Sequence, residues 1–245
     1  MTDVYVPPPP PPPPPAPPAS TPPAGVPPGS YDFGKPFTYV FDDPRWLQKI
    51  LIGGLFYLAG FFLIGIIFIL GYLAQTTRNV VAGKEHPLPE WDDLGAFFSE
   101  GLRLFGVSLC YFVPFMILIT ALVIPAAIAG EFDNQAMQGL SEGLAGCFAC
   151  LMVPLVFAMM FFLPASLLFA MVEQNFGAAF DFARIWAFIK NNLGNYLLAF
   201  VIYWIAHNLA GFGVILLCIG VIFTGFWSFL ITAHAYGQVW RLAKR

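Results

Sequence analysis

Five stretches of this chain, residues 50–73, 104–129, 143–172, 193–209 and 212–233, contain no Asp, Glu, Lys or Arg. The charged residues collect in the gaps between them. Such a charge-free pattern belongs in lipid, where a helix of about 20 apolar residues crosses the hydrocarbon with its backbone groups paired internally. It predicts an all-α polytopic integral membrane helical bundle. The last four stretches read as full spans. The first extends over residues 46–74, about 42 Å as a straight helix, and is interrupted by Gly53, Gly54, Gly60, Gly65 and Gly71. It is either a fifth, tilted span or a hairpin turning near Gly60, with arms too short to span alone.

The basic residues favour the hairpin. With it, all 11 Lys and Arg fall on one side, from Lys35, Arg45 and Lys49 to Arg241, Lys244 and Arg245. The opposite loop, 130–142, holds Glu131, Asp133 and Glu142 and no cation. Positive charge stays cytoplasmic, so both termini are expected there. The expected location is the plasma membrane, because the first 35 residues lack the basic and apolar regions of a signal peptide.

Two gaps carry an apolar stripe of helical period. Leu94, Phe97, Phe98, Leu102 and Phe105 form one; Phe182, Ile185, Trp186 and Ile189 form the other. Both read as amphipathic helices at the inner membrane surface, each leading into a span. Upstream, Asp43 followed by Pro44 predicts a helix N-cap with Pro at the first helical position. Gly95-Ala96-Phe97 echoes Gly177-Ala178-Ala179-Phe180, which raises the expectation of a duplicated unit.

Composition agrees with the pattern. Charged residues make up 10%, hydrophobic residues 58%, and Phe occurs 27 times. The net charge of −3 comes with no basic stripe, so nucleic acid is not an expected partner. Residues 1–36 differ in kind. Pro7 to Pro15 is unbroken, and Pro17, Pro18, Pro22, Pro23, Pro27 and Pro28 follow. Proline cannot supply helix or sheet hydrogen bonds, so a disordered, proline-rich cytoplasmic tail in extended polyproline II is expected, preceding a membrane domain over 37–245. Such a strip reads either as a dock for a proline-binding protein or as a plain spacer.

Three pieces in order carry a resemblance. They are Asp42-Asp43-Pro44-Arg45-Trp46-Leu47-Gln48-Lys49-Ile50-Leu51-Ile52-Gly53-Gly54-Leu55, then Gly71-Tyr72-Leu73-Ala74-Gln75-Thr76-Thr77-Arg78-Asn79-Val80-Val81-Ala82-Gly83, then Leu88-Pro89-Glu90-Trp91-Asp92-Asp93. Together they resemble the prokaryotic multi-pass membrane family catalogued as domain of unknown function 4013, over roughly residues 38–245. The resemblance implies the fold class and no particular chemistry.

Candidate chemistry is sparse. Cys147 and Cys150 form a C-x-x-C, with His207 and Cys218 expected in the same outer half, so a metal or redox site is one reading and helix packing by small side chains the other. His86, His207 and His234 are too far apart to share a ligand. Asp42, Asp43, Glu90, Asp92 and Asp93 gather at the inner surface, either as a divalent-cation site or as helix caps. No ionisable residue sits at mid-span, where only Ser108, Thr120, Ser166, Tyr203, Thr224 and Ser228 are polar. Pro114, Pro125, Pro154 and Pro164 kink the spans. No catalytic, cofactor or metal residues are assigned. The expected function is a non-catalytic scaffold or accessory subunit whose partners are the bilayer and a proline-binding protein or membrane-complex subunits. The alternative is a carrier or channel for a lipid-like or neutral solute.

Overall fold

The structure, a computed structural model, describes residues 30–132, 134–215 and 220–244. The proline strip lies outside the described residues, as do Asp133, Cys218 and Arg245. From Tyr31 onward the chain is one compact unit, and among the described residues there is no strand. Residues 31–36, grouped with the tail by composition, belong to this unit. Helix α1 (Lys35–Thr38) and a 3-10 turn, Tyr39–Asp42, lead toward α2 (Trp46–Ala59).

The start of α2 differs from expectation. Arg45, not Asp43, is the capping position, and Pro44 lies outside the helix. The Asp43 carboxylate accepts from the Arg45 backbone N–H two residues on, which forms a local turn, and its second oxygen is taken by Lys49.

Segment 46–74 is divided. A 3-10 turn, Gly60–Phe62, ends α2, and α3 (Ile64–Val81) starts after Leu63. Leu63 has φ of 65°, a costly value for a residue with a Cβ, and it lets the chain reverse. The open ends of α2 and α3 lie together, because Lys49 reaches Leu88 and Glu90 just past α3. The pair is therefore a helical hairpin. Its tip is wholly apolar, with Phe61 92% and Phe62 78% exposed.

Among the described residues, four helices are long and apolar enough to cross a membrane: Ile64–Val81, Leu94–Gly130, Gln135–Glu173 and Leu193–Ile215. This differs from expectation at both ends, since α3 reaches spanning length although the hairpin arms read as too short, and the helix that follows residue 219, expected as a full span over 212–233, is not among the four. The four mark the chain as a membrane protein. Leu94–Gly130 comprises α4 (Leu94–Leu118), a π-helical turn at Ile119–Val123 and α5 (Ile124–Gly130). Its first turns carry the expected stripe, but they continue into the span without a break, so this is no separate surface helix. With α6 (Gln135–Glu173), it makes a second hairpin, each arm about 55–60 Å long. The second stripe does form a separate helix, α7 (Phe182–Asn191), with Ile185 and Ile189 buried and Phe182 and Trp186 exposed.

After α8 (Leu193–Gly211) comes α9 (Gly220–Ala243), the spine of the molecule. Phe226 and Leu230 belong to a core shared with Tyr39, Tyr72, Phe97 and Leu104. Ile231, Tyr236, Val239 and Trp240 belong to a second core with Phe169, Ile185, Ile189, Tyr196 and Ile202. One helix thus faces both hydrophobic clusters. Where α3 crosses α4, a methyl group on Gly101 would fall 1.7 Å from the Ile67 carbonyl oxygen, and one on Gly71 would fall 1.9 Å from that of Phe97. Only glycine permits the backbones to come this close.

The Gly-Ala-Phe echo does not fall at equivalent places in the two halves. Gly95-Ala96-Phe97 lies after its helix cap, Asp93, whereas Gly177-Ala178-Ala179-Phe180 is a 3-10 turn before its cap, Asp181. Several hydroxyls of the spans find their partners within the helices. Ser108, Thr120 and Ser166 each donate to a carbonyl one turn back, at 3.1, 2.8 and 3.0 Å. Thr224 donates back to Gly220 and across to Ala210. In lipid there is no water to do this.

Candidate functional site

The three sequence pieces at 42–55, 71–83 and 88–93 converge on one place. Lys49, on the second turn of α2, points inward and is 4% exposed along its side chain. Its ammonium has three N–H bonds and three partners: Asp43 at 2.6 Å, Glu90 at 2.8 Å and the Leu88 carbonyl at 2.9 Å. Arg45 holds the other side of the group, 2.8 Å from Glu90. Two cations and two carboxylates leave the cluster neutral, which lowers the cost of placing it beside lipid.

The loop after α3 is pinned carbonyl by carbonyl. Pro87 accepts from Asn79, Leu88 from Lys49, and Pro89 from the Tyr72 hydroxyl. Proline lacks an N–H, so a Pro-x-Pro loop cannot close its own backbone bonds, and side chains from α2 and α3 supply the donors. Trp91 completes the junction. Its indole N–H donates to the Lys49 carbonyl, and its ring stacks on Tyr72 at 4.1 Å and on Phe56 at 4.9 Å.

Beside this junction, a shallow cleft of about 360 Å³ opens to the surface, lined by Arg45, Gln48, Lys49, Ile52, Glu90, Trp91 and Asp92. It carries both signs of charge.

A second ion cluster ties the ends of α3, α4 and α6. Glu100 bridges Arg78, at 2.6 Å, and Arg103. Arg78 donates to the Met171 carbonyl and Arg103 to that of Gln174, at 3.0 and 2.9 Å. Positive charge at the C-terminal end of α6 meets its exposed carbonyls and the negative pole of its dipole.

A third set holds the root of the N-terminal tail. Tyr31 donates to the Ala235 carbonyl, and the Gln238 amide pairs with both backbone groups of Asp32. Tyr39 donates to the Leu230 carbonyl at 3.0 Å and packs on His234 at 4.3 Å. Burial drives the Tyr39 phenol well above its ordinary pKa.

The other sequence candidates scatter. Cys147 and Cys150 are exposed free thiols on α6. His86 is exposed, His207 is held by the Tyr203 carbonyl 2.9 Å from Nδ1, and His234 accepts from Gln238. Asp42 pairs with Lys35, Asp43 and Glu90 with Lys49, and Asp93 caps α4 through the Ala96 N–H. Among the described residues, no three His, Cys, Asp or Glu side chains gather as metal ligands. Sequence reasoning missed the burial of Lys49 and the roles of Tyr72 and Asn79. The signal available was the Pro87-x-Pro89 pair, whose carbonyls need outside donors.

No curated protein and no solved structure matches the chain. The family described as "Protein of unknown function (DUF4013)" matches over residues 54–230. That is most of the chain, and the chain belongs to this family.

Proposed function

We propose that this member of the family is a non-catalytic scaffold or accessory subunit of a membrane complex. It sits in the plasma membrane with both termini in the cytoplasm, and its proline-rich strip docks partners. The interlocked aromatic side chains of the two cores are the observation that carries this reading. Tyr72, Trp91, Phe97 and Phe226 interlock in one half, and Phe169, Phe188 and Trp240 in the other. The charged groups at the α2–α3 junction are engaged with one another rather than held ready for proton transfer.

The orientation draws support from where the chain ends meet. Tyr31 and Asp32 bond to Ala235 and Gln238 near the end of α9, and Gly83 lies against Arg241. The tail root, the end of α3 and the C-terminal helix thus share one end, and the basic residues gather with them.

The test compares the full chain with a chain lacking residues 1–29, each cross-linked in native membranes and purified in mild detergent. The scaffold reading expects a defined set of proteins that is lost with the strip. An identical set from both chains counts against it. A second reading, a carrier for a lipid-like or neutral solute, draws on the π-helical turn and prolines of the α4–α6 hairpin, since such breaks often accompany moving parts. Solute or lipid movement in reconstituted vesicles would favour it.

A further inference from the structure

The cleft beside Lys49 has a composition that selects a ligand. Lys49 itself is saturated and has no bond left to give. The free capacity lies around it. Arg45 is 62% exposed and uses one guanidinium nitrogen on Glu90. Gln48 and Asp92 are exposed, line the cleft, and make no side-chain hydrogen bond or ion pair among the described residues. One small cleft therefore offers a cation, an amide and an anion together.

Its setting supplies the rest. On α2, Leu51, Leu55, Leu58 and the tip residue Phe62 fall on one helical face and are all exposed. Gln48 and Ile52 lie on the adjoining face and line the cleft. A polar pocket thus borders an apolar ridge that runs the length of the hairpin arm. This is the shape of a molecule with a charged head and a long chain.

The signs of charge narrow the head. An anionic lipid would bring its charge against Glu90 and Asp92. A choline head has no N–H to donate, and the Trp91 ring that could hold it stacks on Tyr72 and Phe56. A primary ammonium can donate to Asp92 and Glu90 while its phosphate accepts from Arg45 and Gln48. We propose that this cleft binds one phospholipid with an ethanolamine-type headgroup, its acyl chain lying along Leu51, Leu55 and Leu58. The proposal rests on the membrane setting of the chain and not on the scaffold reading, so a failed partner search leaves it standing.

The test uses the purified full chain in detergent. Dioleoyl phosphatidylethanolamine, phosphatidylcholine and phosphatidylglycerol are each titrated in mixed micelles, with water-soluble glycerophosphoethanolamine as a fourth probe, and bound lipid is counted by native mass spectrometry. Ethanolamine lipid is expected to bind about tenfold more tightly than the other two lipids, and Arg45→Ala and Asp92→Asn are each expected to weaken it about tenfold. Arg184→Ala, remote from the cleft, is expected to change nothing. Equal binding of the three lipids overturns the proposal, as does wild-type binding by Asp92→Asn. Glycerophosphoethanolamine binding as tightly as the lipid overturns the role of the ridge. Melting temperatures of all variants separate lost binding from lost folding. Should Arg45→Ala fail to fold, the near-isosteric change at exposed Asp92 decides.

Discussion

Lys49 Nζ lies 2.6 Å from Asp43 Oδ2, and both side chains are almost fully buried. Removing one partner strands the other as an unpaired charge, which costs about 3–5 kcal/mol. Lys49→Met is therefore expected to lower stability by that amount, since it also strips the donor from the Leu88 carbonyl. The double change Lys49→Met with Asp43→Asn is expected to recover part of the loss. Unfolding in mixed detergent measures both, and a single variant as stable as the parent chain would show that the pair does not hold the junction.

The α3–α4 crossing makes a sharper contrast. Gly101→Ala drives a methyl group into the Ile67 carbonyl, where backbone cannot rotate away. The expected loss is about 1–3 kcal/mol. Gly143→Ala, with nothing within 4 Å of the added carbon, is expected to be neutral or to gain up to about 1 kcal/mol from helix propensity. The same unfolding assay ranks them.

The tip of the α2–α3 hairpin is expected to stay in hydrocarbon. Phe61→Cys, in a background without the native Cys, then resists a membrane-impermeant maleimide from both sides. Ser20→Cys in the tail reacts from the cytoplasmic side alone. Fast outside labelling at position 61 would make α2 and α3 full crossings. Phe61→Lys is expected to cost insertion about 2.5–3.5 kcal/mol if the charge reaches mid-bilayer.

Alkaline pH probes the tail root. The buried Tyr39 phenol has a folded pKa well above its ordinary 10.0. The unfolded chain releases that proton first, so stability is full below about pH 10 and falls as pH rises from there toward the folded value. Tyr39→Phe is expected to flatten this decline while costing about 1 kcal/mol at neutral pH through the lost bond to Leu230. Tyr31, also raised by burial and by the charge of Asp32, leaves a residual slope. Denaturant melts from pH 8 to 11 give both numbers.

Hydropathy made the helices legible, and Gly60 in an overlong run marked the hairpin turn, because length and glycine act locally. The site was not legible in the same way. Lys49 looks like any cation at the edge of a span; only the fold brings Glu90 and the Leu88 carbonyl to it. The prominence of α9 was also hidden, since hydropathy measures a helix and not the number of neighbours around it. The Gly-Ala-Phe echo misled because it lies on opposite sides of the caps Asp93 and Asp181.

The α4–α6 hairpin has one more consequence. Its arms of 37 and 39 residues are nearly twice as long as the hydrocarbon is thick, at about 30 Å. A rod longer than its slab leans, and the lean grows as the slab thins. The α2–α3 arms, at 14 and 18 residues, have no such excess. The two hairpins therefore respond differently to the same bilayer. The longer hairpin has length to spare at its ends, and the π-helical turn with its neighbouring prolines gives it a place to bend.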